Sequence, residues 1–315
     1  MAVEADGICH TPVLLEETLT MLAPQRAESF MIDGTLGEGG HSEAFLSRFA
    51  DLQICGIDAD AAILETAKRR LGHFGDRISF FNGWSEDFFE NSDTEKKPDI
   101  ILMDLGVSLF HYEKGGRGFS FLKDEAFDMR IDTASGVSAA ELIANLKEQD
   151  LANLLYDNAG ERYSRRIAKS IVEERKVARI TSSKVLADIV WSAYPPQQRH
   201  ARTHPATKTF QALRIAVNGE LSKLDARLSA AFKVLASGGK LGVITFHSLE
   251  DRIVKNFFKK LKQEGPVDVN APIYTQGGCQ ILTKKPLACS EEEARRNPPS
   301  RSAKLRVVQK IGTAL

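Results

Sequence analysis

The sequence has little cysteine, no net charge and no long apolar run, and each shortage removes a class of protein. Its four cysteines, Cys9, Cys55, Cys279 and Cys289, are scattered over 315 residues without paired metal-ligand spacing. A disulfide-stapled secreted module and a zinc ribbon are therefore not expected, and a reduced, cytoplasmic protein is. No stretch reaches the roughly 18 uninterrupted apolar residues of a membrane span, and the opening MAVEADGICHTP carries acids where a signal peptide would carry an apolar core. Also missing are the GxxxxGK[ST] phosphate cradle, the G-x-S-x-G nucleophile elbow and any internal repeat. Their absence argues against P-loop ATP hydrolysis, an α/β-hydrolase and a solenoid.

What is present is an ordinary globular composition, 43% hydrophobic and 27% charged, which excludes global disorder. The length allows one large α/β domain or two modest ones. The balance of 42 basic against 42 acidic residues conceals an asymmetry, with 8 against 20 in residues 1–110 and 19 against 9 in residues 206–315. Residues 161–205 hold 10 Lys or Arg against 4 acids, densest at Arg162, Arg165, Arg166, Lys169, Arg175, Lys176 and Arg179. This run is a candidate polyanion surface, with a solvated helix face paired through Glu173 and Glu174 as the alternative.

Short apolar runs alternate with helical segments through the front half. Phe30–Asp33 enters the glycine-rich Gly34–Gly40, and a helix follows from His41. Ile54–Ile57 ends in Asp58, Ile78–Phe81 leads to Asn82-Gly83-Trp84, and Ile100–Met103 ends in Asp104. This order predicts a parallel α/β sheet whose ligand lies beyond the carboxyl ends of the strands, where Asp33, Asp58, Trp84 and Asp104 all fall. Glycines there permit close backbone approach, and an acid after the second strand accepts bonds from a ribose diol. Taken singly, the glycine loop reads equally as a turn and Asp58 as a helix cap. A nicotinamide dinucleotide fits this geometry, but Asp33 puts a carboxylate where its pyrophosphate would lie. S-adenosylmethionine carries a sulfonium cation and no phosphate, and suits an acidic rim.

After Asp104 the next strand is delayed. Ser138–Glu141 is a capping-box signature for a helix to about Tyr156, and further helices are expected over 162–177 and 183–191. From Thr207, apolar Phe210, Leu213, Val217, Leu221, Leu224, Leu228 and Leu235 predict two helices or one bent helix, with coiled-coil dimerisation as the alternative. Gly238-Gly239 then leads into a strand over 241–245, after which Ser248 and Asp251 are candidate caps and His247 is a loop hydrogen-bonder or an RNA contact. The basic tail ends in an expected edge strand over 303–308.

HTPVLLEE (10–17), DGTLGEGGHS (33–42), MDLGVS (103–108), RGFSF (117–121), DMRID (128–132), HPATKTFQALRI (204–215) and FHSLEDRIVK (246–255) together make the chain resemble, over nearly its whole length, the bacterial small-subunit ribosomal RNA (cytosine-N4)-methyltransferase family. The resemblance implies an α/β, Rossmann-like class I methyltransferase domain, residues 1–110 and 206–315, interrupted by a helical RNA-recognition domain, residues 111–205. It implies methylation of the N4 amine of a decoding-centre cytidine in 16S rRNA, free or in an assembling small subunit, with S-adenosyl-L-methionine as donor and no metal. The implied cofactor contacts are Gly39, Gly40, His41, Asp58, Trp84 and Asp104, and Asp33, Gly34 and Gly37 of the same strand and loop are expected with them. His111 stands where the family has a glutamine, with different donor and acceptor geometry. Asp104 is the candidate to accept a hydrogen bond from N4, and equally a contact for the methionine end of the cofactor. Arg117, Arg162, Arg165, Arg166, Arg202 and His247 are expected at RNA. The two prolines and aromatic platform common among enzymes that methylate exocyclic amines do not follow Asp104, so Phe119, Phe121 and Phe246 are the candidates for base stacking.

Overall fold

The computed structural model describes residues 11–91, 96–201, 203–263 and 278–311. Helix α1 (Leu15–Met21) precedes the first strand, and then β1 (Phe30–Asp33), α2 (Gly40–Arg48), β2 (Gln53–Asp58), α3 (Ala61–Leu71), β3 (Ile78–Asn82), α4 (Ser85–Asn91) and β4 (Ile100–Asp104) alternate. The chain then runs through α5 (Leu109–Glu113), α6 (Ala139–Asn145), α7 (Glu148–Ala159), α8 (Ser164–Val177), α9 (Ser183–Ala193) and α10 (Ala206–Asn218). It returns as α11 (Leu224–Val234), β5 (Lys240–Thr245), α12 (Ser248–Gln263), β6 (Cys279–Ile281), β7 (Leu287–Ala288), α13 (Glu291–Arg296) and β8 (Lys304–Lys310).

The sheet order is β3-β2-β1-β4-β5-β8-β6, with β7 also pairing β8. The five strands from β3 to β5 are parallel, and β8 runs antiparallel to β5. Successive side chains leave opposite faces of a strand. Met31 and Leu102 thus join Leu22, Phe45 and Leu305 in one core, while Ile32, Ile101 and Met103 join Leu228, Val243 and Phe258 in the other. Burial on both faces is why β1 and β4 read as uninterrupted apolar runs. Strands β6 and β7, of three and two residues, were too short to register as runs.

The chain divides into two compact units, Met1–Gly106 with Lys223–Leu315, and Val107–Ser222. The second unit is helical, around Phe127, Ile143, Leu151, Ile167, Leu186 and Val190. Its boundary differs from the expected 111–205 because Ala206, Phe210, Ala212 and Leu213 of α10 bury in this core. Periodicity shows that a helix face is apolar, but it does not show which core the face joins. The capping box is present, with Ser138 Oγ accepting from Glu141 N and Glu141 Oε2 accepting from Ser138 N. The helix it opens stops at Asn145, so the single helix expected to about Tyr156 is two. The apolar repeat from Thr207 likewise splits into two helices at Gly219, where φ is +63°. No helix among the described residues is long and apolar enough to cross a membrane.

Candidate functional site

The carboxyl ends of β1, β2, β4 and β5 bring Asp33, Asp58, Asp104 and the Phe246–Glu250 segment to one edge of the first unit. Asp33 is 2% exposed, accepts from Ser42 Oγ at 2.7 Å and takes Thr35 N at 3.3 Å. It is thereby tied through the Ser42 hydroxyl to the first turn of α2. Burial outweighs these two bonds and pushes its carboxyl up to about 6, and Asp58 adds a smaller push in the same direction.

A carboxyl raised in the folded state binds a proton that the unfolded chain releases. The stability contribution of Asp33 is therefore full below about pH 3.8 and lost as pH rises through about 6. The loss is about 3 kcal/mol at about 1.4 kcal/mol per unit. Denaturant titrations at pH 4.5 and 7.5 should show about 2 kcal/mol of this fall in wild type and a much flatter profile in Asp33→Asn. An equal fall in both proteins would assign it to other groups.

Gly34 N donates to Leu102 O, and Gly39 N to Leu36 O. Asp58 does more than end β2, since its Oδ2 accepts from Gly37 N at 2.8 Å and its Oδ1 from Asp60 N at 2.9 Å. The helix cap is Asp60, whose Oδ1 accepts from Ala62 N. Gly37 has φ +54°, and a Cβ there would meet nothing within 4 Å, so that side of the loop is open. His41 is buried, with Nε2 3.0 Å from Val13 O and Nδ1 3.8 Å from Asp104 Oδ2. The carbonyl partner makes Nε2 the protonated nitrogen.

Asp104 N donates to Thr35 Oγ1 at 2.6 Å, tying β4 to the loop. A quarter of the Asp104 side chain is accessible, yet Oδ1 is buried and has no hydrogen-bond partner among the described residues. Burial first, then the neighbouring Asp33 and Glu250, hold this carboxyl well above the ordinary range. Buried polar atoms are nearly always paired, so an unpaired acceptor at a strand edge marks a place for a donor brought by a ligand.

Sequence reasoning missed Glu250. Its Oε2 accepts from Phe246 N and His247 N, its Oε1 lies 3.0 Å from His247 Nε2, and its own N donates to His247 Nδ1. Glu250 and His247 thereby cap α12 in place of Ser248 and Asp251, and Asp251 instead pairs with Arg306 of β8. The spacing of His247 to Glu250 is that of a capping box, which was the available signal. His247, expected at RNA, is thus committed to this cap.

Half-buried Trp84 carries Lys223 at 5.2 Å and Arg227 at 5.5 Å from its ring centre, and Arg227 forks onto Glu86 at 2.8 and 3.2 Å. The ring is thereby fixed by cations that no local motif announced. Of the aromatic candidates, Phe246 lies against Gly106 of the same unit. Phe119 is core at 3% exposure, and Phe121 stacks on His204 at 4.6 Å. His111 is buried in the helical unit, 5.1 Å from the Phe119 ring.

Arg117 is spent within the helical unit, donating to the carbonyls of Arg130 and Ile131. Arg162, Arg165 and Arg166 are exposed, and on α8 Ile167, Ala168 and Ile171 of the opposite face fill the core. Arg202 lies outside the described residues.

A parallel β3-β2-β1-β4-β5 sheet closed by an antiparallel strand, with a glycine turn after β1 and acids after β2 and β4, defines a Rossmann-like α/β methyltransferase. Comparison with known proteins makes this specific, because residues 7–311 match the model of the MraW methylase family, and the chain belongs to that family. A protein of Treponema denticola named ribosomal RNA small subunit methyltransferase H is 54% identical over 306 residues, spanning 96% of this chain and 97% of its own. One of the same name from Borrelia turicatae is 47% identical over 308 residues, spanning 97% and 99%.

Proposed function

We propose that this chain methylates the exocyclic N4 amine of a decoding-centre cytidine in 16S rRNA, free or within an assembling small subunit, with S-adenosyl-L-methionine as donor, in the cytoplasm. The observation that carries the amine as target is Asp104, whose unpaired Oδ1 sits at an acidic strand edge beside the glycine loop. The relatives named for small-subunit rRNA support the substrate class.

The residues present suit the donor. Gly37 offers backbone at close range on the open side of the loop, Asp58 faces the loop with a carboxylate fit for a ribose diol, and Trp84 supplies a ring for the purine. Asp33 and Glu250 share the edge with Asp104, whose raised carboxyl a sulfonium would favour in its charged form. When bound, the donor supplies an electrophilic methyl group, so neither a metal nor a covalent enzyme nucleophile is required.

The cytosine amine is weakly nucleophilic because its lone pair is delocalised into the ring. Asp104 accepts one N4 hydrogen, turns the remaining lone pair toward the incoming methyl and stabilises the positive charge that develops on nitrogen. It need not remove the proton before transfer. As nitrogen takes the methyl, the sulfur–methyl bond would break and the donor would leave as the neutral thioether S-adenosylhomocysteine. The proton then lost from nitrogen would pass to the Asp104 carboxylate. Alignment of this kind contributes about 7–11 kcal/mol in favourable sites. The Phe246 ring lies against Gly106, which is two residues past Asp104, and is a candidate aromatic surface for the base in this unit.

Incubation with labelled donor and immature small subunits, followed by nucleoside analysis, tests the reading. N4-methylcytidine at one rRNA position is expected. Label on another base or on a small amine would replace the substrate. Donor binding without any labelled product would make the chain a noncatalytic assembly factor.

The exposed arginines of α8 position RNA through phosphates and do not specify the base. Arg165→Glu with Arg166→Glu should raise the RNA dissociation constant. It should also flatten the slope of log affinity against log salt by about 1.4–1.8, the equivalent of two phosphate contacts. Unaltered affinity at several salt concentrations would remove the pair from the footprint.

A further inference from the structure

The segment Thr11–Leu14 lies against the glycine loop at two points. Val13 O receives His41 Nε2 at 3.0 Å, and a Cβ on Gly40 would stand 2.6 Å from Pro12 Cγ, so only glycine admits the proline. Leu14 adopts φ +50°, the left-handed region that non-glycine residues rarely enter. Something must hold that conformation.

The holder is the other end of the chain. Helix α13 opens with Ser290-Glu291-Glu292-Glu293, a capping-box sequence, and Ser290 Oγ accepts from Glu293 N as such a box requires. The second half of the box is diverted. Whereas Glu141 in α6 turns back to Ser138 N, Glu293 sends Oε1 to Leu14 N at 2.7 Å, across 279 residues. Four residues on, buried Asn297 donates Nδ2 to Thr11 O at 2.9 Å. A helix that gives up part of its own cap to grip a distant backbone amide is built to fix the strap.

We infer that Glu293 and Asn297 are positioning residues for the donor site: they hold Thr11–Leu14 against Gly40 and His41 and so keep the glycine loop in its binding conformation. The inference rests on the reading of that loop as the donor's seat. Neither residue takes part in methyl transfer. Removing the grip should raise the cost of ordering the loop on binding and leave the filled site's rate nearly intact.

Calorimetry with S-adenosylhomocysteine and initial rates with the full-length protein test this. Glu293→Ala should raise both the dissociation constant and the KM for the donor about tenfold, the range of one charged hydrogen bond, with kcat at saturation close to wild type. Glu293→Gln keeps a carbonyl acceptor for Leu14 N and should recover most of the affinity. Asn297→Ala should weaken binding in the same sense. Because coupling is reciprocal, S-adenosylhomocysteine should slow hydrogen exchange at the Leu14 amide in wild type, and less so in Glu293→Ala. A lowered melting temperature with an unchanged dissociation constant in both alanine variants would overturn the inference and leave a merely structural clasp. Absence of any binding to wild type would instead bring down the donor reading, and this inference with it.

Discussion

Asp104→Asn is expected to lower the single-turnover rate of methyl transfer by about 10²–10³-fold at saturating donor, with affinity for S-adenosylhomocysteine, which lacks the sulfonium charge, close to wild type. The substitution keeps the shape and one carbonyl acceptor but removes the charge that favours positive character on the attacking nitrogen. A hundredfold loss corresponds to about 2.7 kcal/mol of barrier, a reasonable share for one preorganised acceptor. The pH profile supplies a second readout. Burial and the neighbouring Asp33 and Glu250 hold the Asp104 carboxyl well above its ordinary range, so the free protein binds a proton there that must leave before the carboxylate can act. Activity should therefore rise with pH through that raised value. In kcat, which reports the filled site, the limb should sit lower, since a sulfonium nearby favours the charged carboxylate. Asp104→Asn should abolish this limb. An unchanged rate, or an unchanged limb, would reassign Asp104 to holding the methionine end of the donor.

Much of the catalytic unit was legible in the sequence because its strands are buried on both faces and appear as apolar runs ending in Asp33, Asp58 and Asp104. Chain order alone puts those acids on one edge of a parallel sheet. What was not legible depends on contacts between distant segments. Nothing near Trp84 foretells that Arg227, 143 positions later, lies over its ring, nor does HTPV show that Glu293 will hold its backbone. Arg117 shows the opposite failure. Basic residues read alike in sequence, yet this one braces two carbonyls while Arg165 and Arg166 stand exposed. The apolar stripe of α10 marks a buried face, but the core it joins is that of the helical unit, and an amphipathic helix carries no address for its partner.

The glycine loop gives the second large effect, and it separates folding from donor binding at two neighbouring positions. Gly39 has φ +81°, and a Cβ there would stand 2.7 Å from Leu71 Cδ1, a side chain fully buried in the core. Gly39→Ala thus combines left-handed strain of about 1–2 kcal/mol with overpacking of about 1–3 kcal/mol, and should destabilise the protein by about 2–5 kcal/mol. Gly37 also has a positive φ, +54°, but a Cβ there meets nothing within 4 Å. Gly37→Ala should therefore cost only about 1–2 kcal/mol of stability, while its methyl intrudes on the open side of the loop. Equilibrium unfolding beside calorimetry with S-adenosylhomocysteine distinguishes the two. Gly39→Ala should lose most in unfolding free energy. Gly37→Ala should weaken ligand binding by at least about tenfold relative to its small loss of stability, as expected where backbone must closely approach a ligand. If Gly37→Ala binds as tightly as wild type, the open side of that turn is not where the nucleoside lies, and the donor must be seated against other residues of the sheet edge.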